Sequence, residues 1–387
     1  MSTRRALPAS AEVVIIGGGC MGTSIAFHLA EAGVTDVVLL ERDMLGAGST
    51  CKAAGGVRAQ FSDRINIELG ARGLAAFTRF GTRPGQEIDL HQVGYLFLLS
   101  TAADVESFER DVELQNELGV TSRMIDVAEA KRLSPLINTD GLLAAAFSPD
   151  DGHCTPESVV LGYATAARRL GATLLTGVTV TGIDMAGDEA RMVRTEHGGI
   201  AAGTVICAAG AWSRAVGQWV GTDLPVTPVK RQVMVTEPMP GLAPVVPFTI
   251  DFSTSFYFHR EGRGVLLGMS DPGQEAGFDL TYTQGWLPRL SEAIQARAPE
   301  LLEVGPASSW AGLYEVTPDH NAIIGRSSTT PNFLYATGFS GHGFLQAPAV
   351  GEVIRDHYLG REPFVDTTPL SADRFSSAET RPETHIV

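Results

Sequence analysis

The sequence predicts an α/β fold that includes a Rossmann-like nucleotide-binding domain, and three observations lead to this class. Residues 13–32 show an apolar strand, the motif Gly-x-Gly-x-x-Gly and a helix, in that order. A second apolar strand over residues 37–40 ends at Glu41. Two further strands, each followed by glycines, lie far downstream at residues 203–212 and 333–344. Strands that alternate with helices in this way are typical of a sheet covered by helices.

The glycines of the first motif stand where a dinucleotide-binding turn requires them. Gly17 permits the tight turn, Gly19 lets the backbone approach a pyrophosphate, and Gly22 lets the helix pack on the strand. The first N–H groups of that helix would then point at the anion. Glu41 follows about twenty residues later, where a ribose 2′-hydroxyl needs a carboxylate acceptor. We therefore predict an adenine dinucleotide without a 2′-phosphate, because Glu41 would repel that phosphate.

The two downstream stretches favour a flavin as the other half of the dinucleotide. A hairpin-like stretch over residues 178–194 precedes the first of them, whose strand ends in Ala-Ala-Gly. The second leads into a helix-like stretch over residues 347–359. A helix that starts near Gly343 directs its positive end at whatever lies before it. An isoalloxazine ring suits that position, since its reduced form carries negative charge near N1.

Composition narrows the class of protein further. With 387 residues, of which 44% are hydrophobic, the chain can bury a large core and is expected to form two interleaved domains. The net charge of −15 argues against a nucleic-acid partner. The four cysteines lack metal-site or disulfide spacing, so we expect no metal and a reducing, cytoplasmic location. No apolar run approaches about eighteen residues, and the first ten residues lack an apolar signal segment, so neither a membrane span nor a signal peptide is expected.

Several further motifs accompany the first glycine motif. They are Glu41-Arg42, Gly46-Ala-Gly-Ser-Thr50, Ala-Ala-Gly210, Thr317-Pro-Asp319 and Gly338-Phe-Ser-Gly-His-Gly343. Taken together, these motifs resemble the D-amino-acid oxidase (DAO) superfamily. Within it the chain is most similar to the branch of sarcosine oxidase, dimethylglycine dehydrogenase, glycine oxidase and the proline dehydrogenase β-subunit. The resemblance implies FAD and oxidation of a C–N bond by hydride transfer from the α-carbon to flavin N5.

The resemblance also implies how the chain divides. An FAD-binding domain of the glutathione-reductase type would take residues 1–92, 146–222 and 318–387. A substrate domain on a mostly antiparallel sheet would take residues 93–145 and 223–317. The chain's own pattern agrees with this division, because the second set holds segments rich in β-branched and aromatic residues with helical segments between them. The strands are predicted at 93–99, 229–237, 256–260 and 264–268, and the helices at 103–118 and 127–133.

The positions that match the family's cofactor motifs are predicted to contact FAD. They are Gly17, Gly19, Cys20, Met21, Gly22, Glu41, Arg42, Gly48, Ser49, Thr50, Val180, Ala209, Gly210, Trp212, Gly338, Gly341, His342, Gly343 and Phe344. Relatives attach the flavin covalently through a histidine after the Gly-Ser-Thr segment or a cysteine before Thr-Pro-Asp. Lys52 and Gly312 stand at those two positions here, so noncovalent FAD is expected. Cys51 lies beside the first position and is expected to be a buried, inert thiol.

Substrate binding is predicted from charge. A substrate carboxylate in an apolar pocket needs a fixed cation, and Arg58 falls where sarcosine oxidases place a carboxylate-binding arginine. A surface arginine is the alternative at that position. Tyr257, Tyr314 and His342 are the other catalytic candidates, with His259 also expected near the ring, although each of the four can instead be structural.

Reoxidation of the reduced flavin by O₂ is expected to be slow. The family's second substrate-binding lysine is Leu345 here, and the lysine used for oxygen activation is Leu266. Without a cation above N5, superoxide formation lacks electrostatic stabilisation, so a carrier other than O₂ can be the acceptor. The identity of the amine, the acceptor and any homo- or hetero-oligomeric partner stay open.

Two other functions stay open at this stage. One is a 2-hydroxy-acid or glycerol-3-phosphate type dehydrogenase of the same fold, and the other is a non-catalytic flavoprotein subunit. Two local expectations complete the sequence reading. Asp150-Asp151 is interpreted as a turn, and the polar tail after Pro369 as a loose end.

Overall fold

The computed structural model describes residues 7–376 and 381–386, and its first sheet has eight strands in a Rossmann-like arrangement. Central strand β1 runs parallel to β11 and β2, while β2 pairs with β8 and β11 with β18 in the same parallel sense. Strand β17 is antiparallel at one edge, and the β9–β10 hairpin extends from β11. The strands are Ser10–Ile16 (β1), Val37–Glu41 (β2), Thr173–Thr176 (β8), Val180–Ala186 (β9), Glu189–Thr195 (β10), Gly198–Cys207 (β11), Ile323–Arg326 (β17) and Phe333–Thr337 (β18).

The second sheet also has eight strands and is antiparallel except for one pair. Its order is β16-β12-β15-β14-β13-β4-β6-β5, and only β4 and β13 run parallel. These strands are Tyr95–Leu99 (β4), Arg123–Ile125 (β5), Ala144–Ser148 (β6), Thr227–Thr236 (β12), Phe248–Asp251 (β13), Phe256–Glu261 (β14), Gly264–Met269 (β15) and Pro306–Val316 (β16). A two-stranded ribbon of Gly56–Val57 (β3) and Gly152–His153 (β7) lies apart from both sheets.

Eight α-helices accompany the sheets in the described part of the chain. They are Cys20–Glu31 (α1), Arg64–Phe77 (α2), Ala102–Glu117 (α3), Val127–Leu133 (α4), Pro156–Arg169 (α5), Ser213–Trp219 (α6), Leu287–Arg297 (α7) and Gly343–Leu359 (α8). Helix α1 packs against α5 and α8, and α2 packs against α8. The α1 side chains are buried through most of its length, as expected for a helix enclosed between a sheet and two neighbours.

Local sequence explains where several helices begin and end. The Asp63 carboxylate accepts a hydrogen bond from Ile65 N and caps α2, and the Thr101 hydroxyl caps α3 through Asp104 N. Helix α8 ends at Gly360, whose φ of 65° lies in the left-handed region that favours glycine. Of these ends, the start of α2 borders the 381–386 segment described below, because Asp63 N donates to Glu383 Oε2.

The predicted fold class is confirmed, with parallel and mostly antiparallel sheets in one chain. Helix α4 occupies the predicted residues, and the hairpin predicted over 178–194 is β9–β10. Helix α8 begins at Gly343, as expected, and contains the helix-like stretch predicted over residues 347–359. The domain division stays a prediction, and its boundary at 146 falls inside β6, a strand of the second sheet.

The expected turn is present at Asp150, and Asp151, which follows it, is fully buried with a carboxylate that accepts a hydrogen bond from Ala59 N. The expectation of a loose tail was wrong, because Glu383 and His385 are 2% and 1% exposed. Residues 377–380 and 387 of that tail lie outside the described residues. Among the described residues, no helix combines the length and apolarity needed to cross a membrane.

The turn between β1 and α1 gives a testable consequence for stability. A Cβ on Gly22 would overlap the carbonyl oxygen of Gly17, and this backbone atom cannot move without disturbing the turn. We expect Gly22→Ala to destabilise the protein by roughly 1–3 kcal/mol or more. Urea unfolding measures the effect. Gly277→Ala is the matched control, since no atom lies within 4 Å of the Cβ it would add. Equal stabilities of Gly22→Ala and the control would contradict this account.

Candidate active site

The turn after β1 forms the base of a large cavity. Gly17 has a φ of 112°, and its N–H donates to Leu40 O at 2.9 Å. A Cβ on Gly17 would overlap Ala208 O at the end of β11, so the turn fits only without a side chain. The turn is therefore held between β2 and β11, where the carboxyl ends of the parallel strands meet.

The start of α1 is arranged for an anion. Cys20 N donates to Thr50 Oγ1 at 3.1 Å, and a Cβ on Gly19 would lie 3.1 Å from the same hydroxyl. Gly19, Cys20 and Met21 all line the cavity. Burial raises the pKa of the Cys20 thiol to about 12, so no thiolate competes with a phosphate there. The positive end of a helix with close backbone approach is a recognised pyrophosphate site.

Glu41 presents an oriented carboxylate to the same cavity. Its Oε2 accepts a hydrogen bond from Gly18 N at 2.7 Å, and its Oε1 accepts one from Asp43 N at 2.9 Å. A carboxylate has about four lone-pair sites, so acceptor capacity is left for ribose hydroxyls. This geometry fits the predicted dinucleotide, because the backbone fixes the acceptor before the ligand binds.

The predicted cofactor residues lie around one cavity of about 380 Å³. The residues of that prediction that line it are Gly17, Gly19, Cys20, Met21, Glu41, Arg42, Gly48, Ser49, Thr50, Val180, Ala209, Gly210, Trp212, Gly341, Gly343 and Phe344. Gly22 and Gly338 face protein atoms instead, and His342 lines a neighbouring cavity. The Arg42 guanidinium stacks 3.8 Å from the Trp212 ring at the cavity wall.

Sequence reasoning missed Glu315, which also lines this cavity. Its Oε2 accepts hydrogen bonds from Thr337 Oγ1 at 3.0 Å and Gly338 N at 3.1 Å. Although Glu315 lines the cavity, protein atoms surround its carboxylate, and this burial raises its pKa to about 7. The only signal in the sequence is an acidic residue within the apolar strand β16.

A second, smaller cavity of about 90 Å³ adjoins the first. The two share six lining residues, which are Lys52, Ala53, Arg231, Tyr314, Gly341 and Phe344. The cavities are therefore neighbours with a common wall. A molecule in the second cavity would lie next to the part of the cofactor held near Tyr314 and Gly341.

Aromatic rings form much of the second cavity. Tyr95 and Phe248 stack with centroids 4.4 Å apart and planes 6° apart, and Phe248 lies 5.5 Å from Tyr257. Tyr314 completes this group on the side of the first cavity. Burial raises the pKa of all three tyrosines, so their hydroxyls are neutral donors at physiological pH.

Arg58 lines this cavity but is engaged elsewhere. It is 4% exposed, and its Nη1 and Nη2 donate to the carbonyl oxygens of Gln60 and His385, the latter at 2.5 Å. Its guanidinium also stacks 4.0 Å from the Phe61 ring. Burial lowers the pKa of Arg58, with Tyr95 among the groups that oppose the shift. Much of its hydrogen-bonding capacity is thus satisfied by backbone carbonyls.

Arg231 is the other arginine of the cavity, and sequence reasoning gave it no primary role. Its guanidinium lies 4.9 Å from the Tyr314 ring and donates one bond, from Nη1 to Lys230 O at 3.1 Å. Its Nε is buried and has no hydrogen-bond partner among the described residues. An arginine with unused donors beside two cavities is a candidate anion-binding group.

His342 lies at the start of α8 and faces the second cavity. Both of its ring nitrogens are buried without a hydrogen-bond partner in the part of the chain that the structure describes. Burial lowers the pKa of His342, against the effect of Glu383, so the ring is neutral at pH 7. A neutral imidazole can donate or accept a hydrogen bond, but the lowered pKa makes this ring a weak base.

His259 does not line either cavity. Its ring packs 4.8 Å from Phe248 and 4.2 Å from His153. Its nitrogens face the carbonyl oxygens of Arg260 and Ala54 at 2.9 and 3.1 Å. Burial lowers its pKa to about 4, and its position behind Phe248 indicates a packing role.

Comparison with known proteins agrees with the site. A family model described as "FAD dependent oxidoreductase" (DAO) matches residues 12–357. The chain belongs to the DAO family of FAD-dependent oxidoreductases. Its cofactor is FAD, and the glycine turn, the carboxylate of Glu41 and the first cavity fit that group.

Two similar proteins are close over nearly the whole chain. Rat mitochondrial dimethylglycine dehydrogenase is 33% identical over 96% of this chain and 45% of its own length. The crystal structure of L-proline dehydrogenase from P. horikoshii is 33% identical, with a TM-score of 0.91, over 97% of this chain and 100% of the other. Glycine oxidase from Geobacillus kaustophilus shares the fold, with a TM-score of 0.84 at 23% identity over 96% of this chain and all of its own. The chain spans about half the length of the curated relatives it matches.

The positions of covalent attachment in relatives lie together in this DAO-family chain. A Cβ on Gly312 would lie 2.9 Å from the Cβ of Lys52, whose Nζ donates to Gly48 O at 3.0 Å. Cys51 does not line the cavity, and its Sγ packs beside Gly46. Neither of the two positions carries a histidine or cysteine side chain, which agrees with noncovalent FAD.

Glu41 gives a prediction about FAD affinity. We expect Glu41→Ala to weaken FAD binding by about 1–3 kcal/mol, because a charge-assisted hydrogen bond to the ribose is lost. Fluorescence titration of flavin-free protein with FAD measures the dissociation constant. Asp43→Ala is the control, since it removes a neighbouring exposed carboxylate that pairs with Arg42. An unchanged constant in Glu41→Ala would remove Glu41 from the cofactor site.

Glu315 gives a prediction about pH. Its pKa in the folded protein is raised above its ordinary 4.5 to about 7, so the folded state binds more protons than the unfolded state between these values. The contribution of Glu315 to the stability of the flavin-free protein should therefore fall as pH rises from about 4.5 to 7. Glu315→Gln keeps an acceptor oxygen without the charge, so above pH 7 it should be more stable than the wild type by roughly 1–3 kcal/mol.

Urea unfolding at pH 5 and pH 8 measures this effect. Glu106→Gln is the control, because Glu106 is exposed on α3. The stability difference between wild type and Glu315→Gln should be larger at pH 8 than at pH 5. The same difference at both values would show that Glu315 does not titrate in this range.

Proposed function

We propose that this protein oxidises a C–N bond of a small amino acid or secondary amine of the sarcosine, glycine or proline type. The observation that carries the proposal is the small aromatic cavity that shares a wall with the FAD cavity and contains Arg231. FAD, when bound, accepts the two electrons and the hydrogen removed from the substrate carbon. The remaining roles belong to the residues of the cavity.

Size supports a small substrate. A water molecule needs about 10–15 Å³ of cavity volume measured in this way, so 90 Å³ holds roughly six to nine non-hydrogen atoms. The names of the relatives agree, since dimethylglycine and L-proline are small amines that carry a carboxylate. The stacked rings of Tyr95 and Phe248 would exclude water from such a molecule.

Charge supports a carboxylate on that substrate. Arg231 has a buried Nε without a partner among the described residues and can offer a fork of N–H donors. We infer that Arg231, rather than Arg58, binds the substrate carboxylate. The Arg58 guanidinium already donates to two carbonyl oxygens, so a carboxylate there would have to displace His385 O.

The uncharged polar groups of the cavity suit a neutral amine. An ammonium group must lose a proton before its carbon can give up hydride, because the nitrogen lone pair stabilises the cation that forms. His342 lines the cavity, and its two ring nitrogens have no partner among the described residues, but burial lowers its pKa and makes it a weak base. We propose that the amine binds as its free base and that His342, Tyr257 and Tyr314 position it through hydrogen bonds.

Leu266 and the cysteines bear on the electron acceptor and the cellular location. Leu266 stands where the resemblance places the lysine for oxygen activation, and this supports a carrier other than O₂. All four cysteines are free thiols, which supports a reducing compartment such as the cytoplasm.

Arg231 provides the test of the proposed substrate class. Anaerobic reduction of the flavin is followed with sarcosine, glycine and proline, and with the decarboxylated amine of the best of them. We expect Arg231→Ala to lose about 2–5 kcal/mol of affinity for the amino acid and little for the amine. Arg231→Lys should restore only part of the loss, because an ammonium cannot make a bidentate contact.

Arg263→Ala is the control for this series, since Arg263 is exposed on the turn between β14 and β15. Equal affinity of wild type and Arg231→Ala for the amino acid would remove Arg231 from the site. Failure of all these compounds to bleach the flavin of the wild type would contradict the proposed function itself.

A further inference from the structure

Residues 381–386 pack against the body of the protein and reach the second cavity. Asn321 Nδ2 donates to Arg381 O at 2.5 Å, Glu383 N donates to Asp319 O at 3.1 Å, and Thr384 N donates to Ser62 Oγ at 3.1 Å. The 381–386 segment is therefore held by its backbone, and its path passes the start of α2.

Glu383 is the principal anchor of the segment. Its Oε1 accepts hydrogen bonds from Ser62 N, Ser62 Oγ and His385 N at 3.0, 2.6 and 2.9 Å. Its Oε2 accepts from Asp63 N at 3.2 Å and from Asn66 Nδ2 at 2.9 Å. Burial alone would raise the pKa of Glu383, but nearby His385 and these donors hold it well below the usual range. A carboxylate at a helix N-terminus with five donors is a built docking point.

His385 continues the attachment towards the cavity. Its ring stacks on Phe108 with centroids 4.1 Å apart and planes 10° apart, and its Nε2 lies 2.9 Å from Asp111 Oδ2. Its carbonyl oxygen accepts the hydrogen bond from Arg58 Nη2 at 2.5 Å. The next residue, Ile386, lines the second cavity together with Arg58.

We propose that the 381–386 segment is the closing wall of the substrate cavity, that Ile386 limits the size of the substrate, and that Arg58 is a positioning residue that holds this wall through His385 O. The identification of the cavity with substrate rests on the proposed function. The attachment of the segment does not depend on it. Arg58 therefore acts on the substrate through the backbone that it fixes.

Charge balance explains why Arg58 suits this role. A buried guanidinium needs acceptors on its N–H groups, since an unpaired buried charge is costly. The carbonyl oxygens of Gln60 and His385 supply two of them. If the segment left, Arg58 would lose an acceptor and face the cavity. Withdrawal of the segment is thus opposed by both Arg58 and the Glu383 anchor.

The first experiment follows the attachment of the segment without turnover. Hydrogen–deuterium exchange of the FAD-loaded protein reports the amides of residues 383–385, all three of which donate hydrogen bonds. We expect Glu383→Gln and Arg58→Ala to speed exchange there by about tenfold or more, and Arg58→Lys to recover part of the protection, since an ammonium can donate to His385 O. Glu362→Gln, at an exposed position, should match the wild type. Unchanged exchange in Glu383→Gln and Arg58→Ala overturns the anchoring.

The second experiment measures the size limit with probe ligands. Acetate, propionate, pyrrole-2-carboxylate and benzoate are titrated into the FAD-loaded protein, and the change in flavin absorbance gives each dissociation constant. We expect Ile386→Ala to shift the benzoate-to-acetate affinity ratio by about tenfold towards benzoate and Ile386→Trp to shift it the other way. Arg58→Ala should shift the ratio in the direction of Ile386→Ala.

The two experiments separate the possible failures. The same affinity series in wild type and both Ile386 variants, including no binding in any of them, overturns the role of Ile386. Protected amides and shifted ratios in a protein whose flavin no amine reduces would support the wall and contradict the proposed function. Bleaching of the flavin by amines, together with unchanged benzoate-to-acetate affinity ratios in the Ile386 variants, would support the proposed function and contradict the role of Ile386.

Discussion

Close contact between backbones at the turn after β1 determines where the other parts of the cofactor site can lie. Gly17 fits against Ala208 O and Gly22 against Gly17 O, with no room for a Cβ at either glycine. These contacts bring β1, the end of β11 and the start of α1 to one point. The carboxylate of Glu41 and the hydroxyl of Thr50 then bond to backbone N–H groups of the same turn. The cofactor cavity is thus a consequence of missing side chains.

This part of the molecule could be predicted because its information is local in the sequence. The spacing of the glycines, the apolar strands and the acid at the end of β2 all lie within about thirty residues, and each has one physical reason. The same holds for α4 and the β9–β10 hairpin, whose periodicity and turn residues fix them. The burial of individual carboxyl groups could not be predicted in the same way. Asp151 follows a turn that the sequence indicates, whereas Glu315 lies in β16, which was not predicted. Nothing local in the sequence shows that both carboxyls are surrounded by protein.

The second cavity could not be predicted to the same degree, because distant segments build it. Arg58 donates a hydrogen bond to His385 O, 327 residues away in the chain. This contact occupies part of the hydrogen-bonding capacity of an arginine that the family motif marks as carboxylate-binding. Arg231 comes from β12, in the other sheet, and no spacing connects it with Arg58. The polar tail was wrongly read as loose because composition does not show that Glu383 meets five donors at the start of α2.

The two arginines show how burial divides roles between identical side chains. A guanidinium enclosed by protein must satisfy its donors within the protein, and Arg58 does so with carbonyl oxygens, which carry no net charge. It therefore stays cationic beside the cavity while its geometry is fixed. Arg231 lies over Tyr314, and its Nε has no partner in the part of the chain that the structure describes, so this donor is open to an acceptor on a bound molecule. A negatively charged group that enters the cavity meets the potential of both cations but gains hydrogen bonds most easily from Arg231. In the proposed site, attraction and orientation are thus supplied by different residues, and a change at either should affect substrate affinity in a different way.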